Sequence, residues 1–297
     1  MMTSRGTNQT DDMGTDSDRR AAPHAIPNIL SIAGTDPTGG AGIHADIKTF
    51  SALGAYAMAA ITAVVAQNTQ GVRSFVALEP SFVGEQLDAV FEDVRVDAVK
   101  IGMVANAGIA RVIADRLRHH QARNIVLDPV MVAKSGDHLL EPDAVAAVRE
   151  LLVPLATVIT PNLPEAGVLL GANPTWTLEE MRERVRELHA LGPEWVLLKG
   201  GHLTGSAESV DLLHGTSGTT EFTAPRVATR NDHGTGCTIS AAIAALLPTH
   251  SMEESVRAAK AYTHGALATS DELDVGHGHG PLNHFWGRGR DGVARKG

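Results

Sequence analysis

The chain has 297 residues, 43% of them hydrophobic, with 34 acidic against 25 basic side chains and a net charge of −9. That length allows two average domains or one large α/β domain, and the apolar share can bury a sizeable core. The acidic balance argues against a general nucleic-acid or anionic-membrane surface, and the single cysteine excludes an intramolecular disulfide and a Cys-rich zinc site.

Residues 1–26 are polar and acidic with little to pack, so a disordered N-terminal tail is expected there, with a flexible C-terminal tail at 287–297. Arg19-Arg20 is not followed by an apolar stretch long enough for an export signal. No apolar run approaches the ~18 residues of a membrane span. A reducing cytoplasm is the compartment this composition suits.

From residue 27 onward, short β-rich runs alternate with longer helical patterns. Strands are expected at 28–33, 58–66, 72–77, 97–101, 124–127, 157–160, 195–199, 208–213 and 220–224. Helices are expected at 40–53, 81–93, 106–119, 141–151, 163–170, 178–191, 236–247 and 252–269. Val83, Leu87, Val90, Phe91 and Val94 recur at helical spacing and define one buried stripe. Thr177 with Glu180 and Ser251 with Glu254 have the spacing of capping boxes. The alternation predicts one α/β domain over 27–286, with a mostly parallel central sheet flanked by helices on both faces. In such sheets ligands bind outside the carboxyl ends of the strands.

The unusual strings all follow expected strands. Gly34-Thr35-Asp36-Pro37 with Gly39-Gly40-Ala41-Gly42 has neither the P-loop pattern nor the dinucleotide fingerprint. Val64-Val65-Ala66-Gln67-Asn68 ends in two amides, which offer donors and acceptors to a heterocycle. Lys100-Ile101-Gly102-Met103 places a flexible apolar side chain where it could lie over a flat ring. Leu127-Asp128-Pro129-Val130-Met131 sets a carboxylate at a strand end, ahead of Lys134-Ser135-Gly136-Asp137. In Thr160-Pro161-Asn162-Leu163-Pro164-Glu165-Ala166, two readings stand side by side. Asn162 and Glu165 are spaced as a helix cap, and with Asp128 they also suit Mg²⁺ that keeps its waters. Lys199-Gly200-Gly201-His202 combines an ammonium with close backbone approach, and the loop 202–209 is expected to fold over a nucleotide. His277-Gly278-His279-Gly280 reads as a glycine turn rather than a ligand pair.

Asn231-Asp232-His233-Gly234-Thr235-Gly236-Cys237 opens an alanine-rich helix. Unpaired N–H groups, the helix dipole and two glycines make an anion site. The only cysteine sits at that helix mouth, where a thiol pKa tends to fall.

Taken in this order, the strings resemble the hydroxymethylpyrimidine/phosphomethylpyrimidine kinases of thiamine biosynthesis, in the ribokinase-like superfamily. The resemblance rests on 33–37 with 39–42, Asp46-Ile47-Lys48-Thr49-Phe50, Gln67-Asn68-Thr69, 100–103, 127–131, 160–166, 199–202 and 233–237, and covers roughly residues 28–286. It implies ATP-dependent phosphorylation of 4-amino-5-hydroxymethyl-2-methylpyrimidine to its monophosphate and then to the diphosphate. Gly34, Asp46, Gln67, Met103 and Val130 would line the pyrimidine pocket. Asp128, Asn162 and Glu165 would organise Mg²⁺ and the phosphates, with Lys199, Gly200 and Gly201 near the nucleotide. Gly234, Thr235 and Gly236 would form the anion hole, and Cys237 would take the place of the aspartate base of the related sugar kinases. A shift of about 1.5 units from the usual thiol pKa of ~8.5 would leave that base half ionised at neutral pH. Asp232 stands where the family pattern has Thr, and its charge is expected to weaken nucleotide binding slightly. A small-molecule substrate, no nucleic-acid or membrane partner and a homodimer are expected. The competing readings are a pyridoxal kinase of the same branch and a non-catalytic vitamin-precursor sensor.

Overall fold

The computed structural model describes residues 26–131, 140–203 and 207–287. The two expected tails, apart from Ile26 and Gly287, the string 134–137 and residues 204–206 of the expected nucleotide loop lie outside the described residues.

The chain begins with β1 (Asn28–Ala33), α1 (Gly42–Ala52) and β2 (Tyr56–Ile61), followed by a hairpin of β3 (Ala63–Asn68) and β4 (Gly71–Ala77). α2 (Pro80–Asp93), β5 (Ala98–Ile101), α3 (Ala107–His119), β6 (Ile125–Leu127) and α4 (Pro142–Ala147) come next. After helical turns at Val148–Leu152 and Val153–Leu155 come β7 (Val158–Ile159), α5 (Leu163–Leu170), α6 (Leu178–His189) and β8 (Trp195–Lys199). β9 (Glu208–Gly215), β10 (Gly218–Pro225), α7 (Thr235–Leu246) and α8 (Met252–Ala268) complete the order.

Eight strands form one sheet in the order β10-β9-β8-β7-β6-β5-β1-β2. The six from β2 to β8 are parallel, and β9 and β10 close that edge antiparallel. Because both faces are covered, successive residues on each strand alternate between two cores rather than between core and water. Leu30, Ile32, Val99, Ile101, Leu127 and Leu198 belong to the core that also holds α2, α3 and α6. Ile29, Ala98, Val126, Val158, Leu197 and Leu213 belong to the other, shared with α7 and α8. The small side chains of α7 let it lie close to β1, β5 and β6, with Thr238–Ala245 buried. Among the described residues, no helix is long and apolar enough to cross a membrane.

The expected strand at 58–66 is two strands. Thr62 breaks it: its N–H donates to Ala33 O at 3.0 Å and its hydroxyl to Met103 O at 2.6 Å, tying the chain to the ends of β1 and β5. The chain then leaves the main sheet, and β3 pairs with β4 as an antiparallel flap. The expected capping boxes at Thr177/Glu180 and Ser251/Glu254 are present.

The chain passes from β1 to β2 on one side, then continues through β5 to β8 on the other. The switch point between β1 and β5 leaves a crevice at the carboxyl ends of those strands.

Candidate active site

A cleft of about 1410 Å³ opens at that crevice. Gly34, Gln67, Met103 and Val130 line one end, Asp128, Asn162, Glu165, Lys199 and Gly201 the other, and Gly234, Thr235, Gly236 and Cys237 also line it. Of the residues expected in the site, Asp46 and Gly200 are not on its surface.

At the first end, Gly34 and Met103 face each other closely, since a Cβ on Gly34 would stand 3.3 Å from Met103 Sδ. Gln67 enters from the flap and hydrogen-bonds to Asp36. Asp46 lies one layer behind. Its side chain is fully buried, and Oδ2 accepts from Ser31 Oγ at 2.6 Å and from Lys100 Nζ at 2.9 Å. Burial raises the Asp46 pKa, while Lys100 and Ser31 oppose that rise. Its Oδ1 has no hydrogen-bond partner. Lys100 is the group of this pair that reaches the cleft surface. Burial disfavours its ammonium, yet Asp46, Cys237 and Asp128 raise its pKa above the usual lysine value.

At the other end, Gly234 caps α7 in the left-handed region at φ 82°, and no side chain caps the helix. A Cβ on Gly234 would overlap Gly40 O, so the two glycine-rich loops interlock backbone to backbone. Thr235 donates its hydroxyl to Asp232 O at 2.7 Å. The Thr235 N–H donates to Asp232 O at 3.4 Å, and the absence of a side-chain cap leaves the N–H groups of Gly236 and Cys237 available to an anion. The cation beside them is Lys199, whose Nζ would be 3.2 Å from a Cβ on Gly236.

Lys199 Nζ donates to Asp128 Oδ1 at 2.9 Å, and Thr160 adds a hydroxyl at 3.1 Å. Burial would raise the Asp128 pKa, but Lys199 and Lys100 bring it below the ordinary value. Glu165 is 4% exposed and shares the same cation. Burial, with Asp128 adding to it, pushes the Glu165 carboxyl up to about 8. Asn162 and Glu165 do form the helix cap: Asn162 N–H donates to Glu165 Oε2 at 2.8 Å, and Glu165 N–H to Asn162 Oδ1 at 2.9 Å. Among the described residues no cluster of three or more His, Cys, Asp and Glu could hold a metal. Two buried carboxylates beside one cation do fit Mg²⁺, which commonly takes one or two carboxylates and completes its shell with phosphates and water.

Cys237 requires a correction. Its half-buried thiol accepts the Gly42 N–H, but burial pushes its pKa up to about 11 rather than down. Lys100 pulls it down, and the negative charges of Asp128 and Asp46 push it back up. Desolvation and two carboxylates outweigh the helix mouth.

Three further groups escape a reading by strings. Asp36 is 1% exposed and accepts from the N–H groups of Thr38, Gly40 and Ala41, from the Thr38 hydroxyl, and from His233 Nε2 at 2.8 Å. Lys100 is the second, and the ion pair of Asp211 with Lys260 is the third. A charged residue inside an apolar strand or on the buried face of a helix was the available signal for Lys100, Asp211 and Lys260. Asp232 faces His279 at 2.9 Å. The turn 277–280 packs on the tip of the flap, with Gly278 and His279 N–H groups donating to Thr69.

Residues 36–283 match the family model described as Phosphomethylpyrimidine kinase. Over 259 residues the chain is 56% identical to the hydroxymethylpyrimidine/phosphomethylpyrimidine kinase of Escherichia coli (strain K12), covering 87% of this chain and 97% of that protein. It superposes on the crystal structure of phosphomethylpyrimidine kinase from Clostridium difficile 630 with a TM-score of 0.73 and 41% identity, covering 81% of this chain and 99% of that one. An ADP complex of Bacillus subtilis pyridoxal kinase gives a TM-score of 0.80 at 35% identity, covering 88% and 98% of the two chains. These matches bear out the ribokinase-like α/β fold.

Proposed function

The chain belongs to the phosphomethylpyrimidine kinase family, and on that premise we propose that the cleft between β1 and β5 carries out both of its phosphorylations. The protein is a bifunctional ATP-dependent kinase of thiamine biosynthesis. It phosphorylates the hydroxymethylpyrimidine to its monophosphate and the monophosphate to the diphosphate.

The observation that carries the assignment of the site is the open N-terminus of α7 lying beside Lys199 and Asp128 in the same cleft as Gln67 and Met103. Phosphoryl transfer demands positioning and charge stabilisation more than covalent chemistry from the protein. Gly34 and Val130 allow the flat ring close approach, Met103 packs on it, and Gln67 offers amide contacts. Asp46 acts from behind the pocket wall, where it holds Lys100 at the cleft surface and keeps an unpartnered Oδ1 as the acceptor for the ring's amino group. Gly234 and Gly236 present N–H groups to the moving phosphoryl group, Thr235 braces the loop through its N–H and hydroxyl on Asp232 O, and Lys199 adds charge. Gly200 and Gly201 let the nucleotide approach the backbone. Asp128 and Glu165, with Asn162 bracing the latter, would hold Mg²⁺, which when bound supplies neutralisation of the phosphate charge.

Cys237 takes the alcohol's proton in the first phosphorylation. Its thiolate is stabilised by Lys100 and opposed by Asp46 and Asp128, so bound ligands must offset those carboxylates before the thiol ionises. The monophosphate already carries a nucleophilic oxygen, and the second step needs little or no base.

Val64 and Val76, register partners in the flap, stand 52% and 68% exposed, which supports a homodimer with a second copy covering it. One free cysteine supports a reducing, cytoplasmic setting.

A coupled assay of ADP release with the pyrimidine alcohol, its monophosphate and pyridoxal tests this reading. Turnover is expected with the first two. Turnover with pyridoxal alone would assign the site to the other activity of this branch, and none with any acceptor would contradict the kinase site.

A further inference from the structure

Lys199 ends β8, and the next residues fold back in a turn whose carbonyl at Gly200 accepts the Leu203 N–H at 2.9 Å. Gly201 lines the cleft from this turn. The turn lies directly on β9, because a Cβ on Gly200 would overlap Val210 O.

Beneath it, Asp211 of β9 accepts the Gly200 N–H on Oδ1 at 2.9 Å and the Lys260 ammonium on Oδ2 at 2.6 Å. The Asp211 and Lys260 side chains are 7% and 10% exposed. Arg226, which lines the cleft, donates to Gly201 O at 2.8 Å and to Leu203 O at 2.6 Å. Asp211 is also the register partner of Lys199 in the sheet.

A buried ion pair is a weak source of stability, since desolvation of both charges offsets most of their attraction. What this pair does provide is direction. The ammonium from α8 holds one oxygen of the carboxylate, and the other oxygen fixes a backbone N–H next to the phosphate-facing lysine.

We propose that Asp211 and Lys260 are positioning residues for the nucleotide, setting the Gly200–Gly201 turn and, through it, Lys199 at the height the phosphates require. The inference rests on the assignment of this end of the cleft to the nucleotide. It predicts a defect in nucleotide affinity that does not extend to the pyrimidine end, where neither residue makes a contact.

The test is equilibrium binding of a fluorescent ATP analogue with Mg²⁺ and no acceptor, alongside KM values for ATP and for the pyrimidine alcohol. Asp211→Ala with Lys260→Met removes the acceptor without leaving an unpaired buried charge. Analogue binding and the KM for ATP should each weaken about tenfold, the loss of one charge-assisted hydrogen bond, while the KM for the pyrimidine alcohol stays within about twofold. Equal binding by variant and wild type, or parallel change in both KM values, would overturn the inference. Should the double variant not fold, Asp211→Asn preserves the volume and decides alone. Binding about threefold weaker, with the pyrimidine KM unmoved, supports positioning, and wild-type binding overturns it. Failure of the wild-type protein to bind the analogue would instead overturn the nucleotide assignment, and this inference with it.

Discussion

Asp36 Oδ2 and His233 Nε2 stand 2.8 Å apart although 197 positions separate them in the chain. The same carboxylate holds the N–H groups of the loop that follows β1 and the amide of Gln67 on the flap. One buried side chain therefore joins the pyrimidine end of the cleft to the anion loop. Removing it frees three segments at once. Asp36→Ala should lower kcat by about a hundredfold, as misplacement of reacting groups by about an ångström does. Steady-state kinetics checks this; kcat within about twofold of wild type would mean that the junction does not position the loop.

The two glycines of the anion loop should fail differently. Gly234 has φ 82° and no room for a Cβ against Gly40 O, so Gly234→Ala should disrupt the loop and lower the melting temperature. At Gly236 a Cβ would meet only the end of Lys199 at 3.2 Å and Asp128 Oδ2 at 3.7 Å. Gly236→Ala should keep the wild-type melting temperature and lose about tenfold in kcat/KM for ATP. Calorimetry and kinetics on the two variants separate a folding defect from a site defect.

A thiol held near 11 is almost wholly protonated at neutral pH. In the ligand-free protein Cys237 should react slowly with iodoacetamide, and the rate should rise about tenfold per pH unit beyond pH 9. A rate that levels off near pH 8.5 would show an ordinary or activated thiol instead.

Glu165 is pushed up to about 8 in the folded protein, against about 4.3 in an unfolded chain. Between those values the native state binds the extra proton, so ligand-free stability should fall as pH rises from 5 to 8, by at most about 1.4 kcal/mol per unit. Glu165→Gln retains an oxygen acceptor for the Asn162 N–H and loses the titration. Denaturant melts across that pH range, without Mg²⁺ or ATP, should be flatter for the variant than for wild type.

The layers of the fold were legible because their signals are local. Short β-rich apolar runs and period-3.6 apolar patterns gave the strands and helices, and Thr177/Glu180 and Ser251/Glu254 marked helix starts. The break at Thr62 was not legible. No Gly or Pro punctuates it, and the chain turns there because Ala33 and Met103 supply tertiary partners. The same limit applies to the site. Strand-end strings placed Gly34, Gln67, Met103, Lys199 and Cys237 around one cleft. The partners of Asp46, Asp128 and Asp211 are Lys100, Lys199 and Lys260, each distant in sequence. The thiol was misread for a related reason: its pKa depends on burial and on carboxylates from α1 and the β6 end, not on its own helix alone.

The role of Cys237 is tested most directly by Cys237→Ala in the ADP-release assay, with the pyrimidine alcohol and its monophosphate compared side by side. In the proposed mechanism the thiol accepts a proton only from the alcohol, so turnover with the alcohol should fall by about a hundredfold or more, and turnover with the monophosphate by much less. Near-wild-type turnover of the alcohol by a folded Cys237→Ala protein would contradict the account.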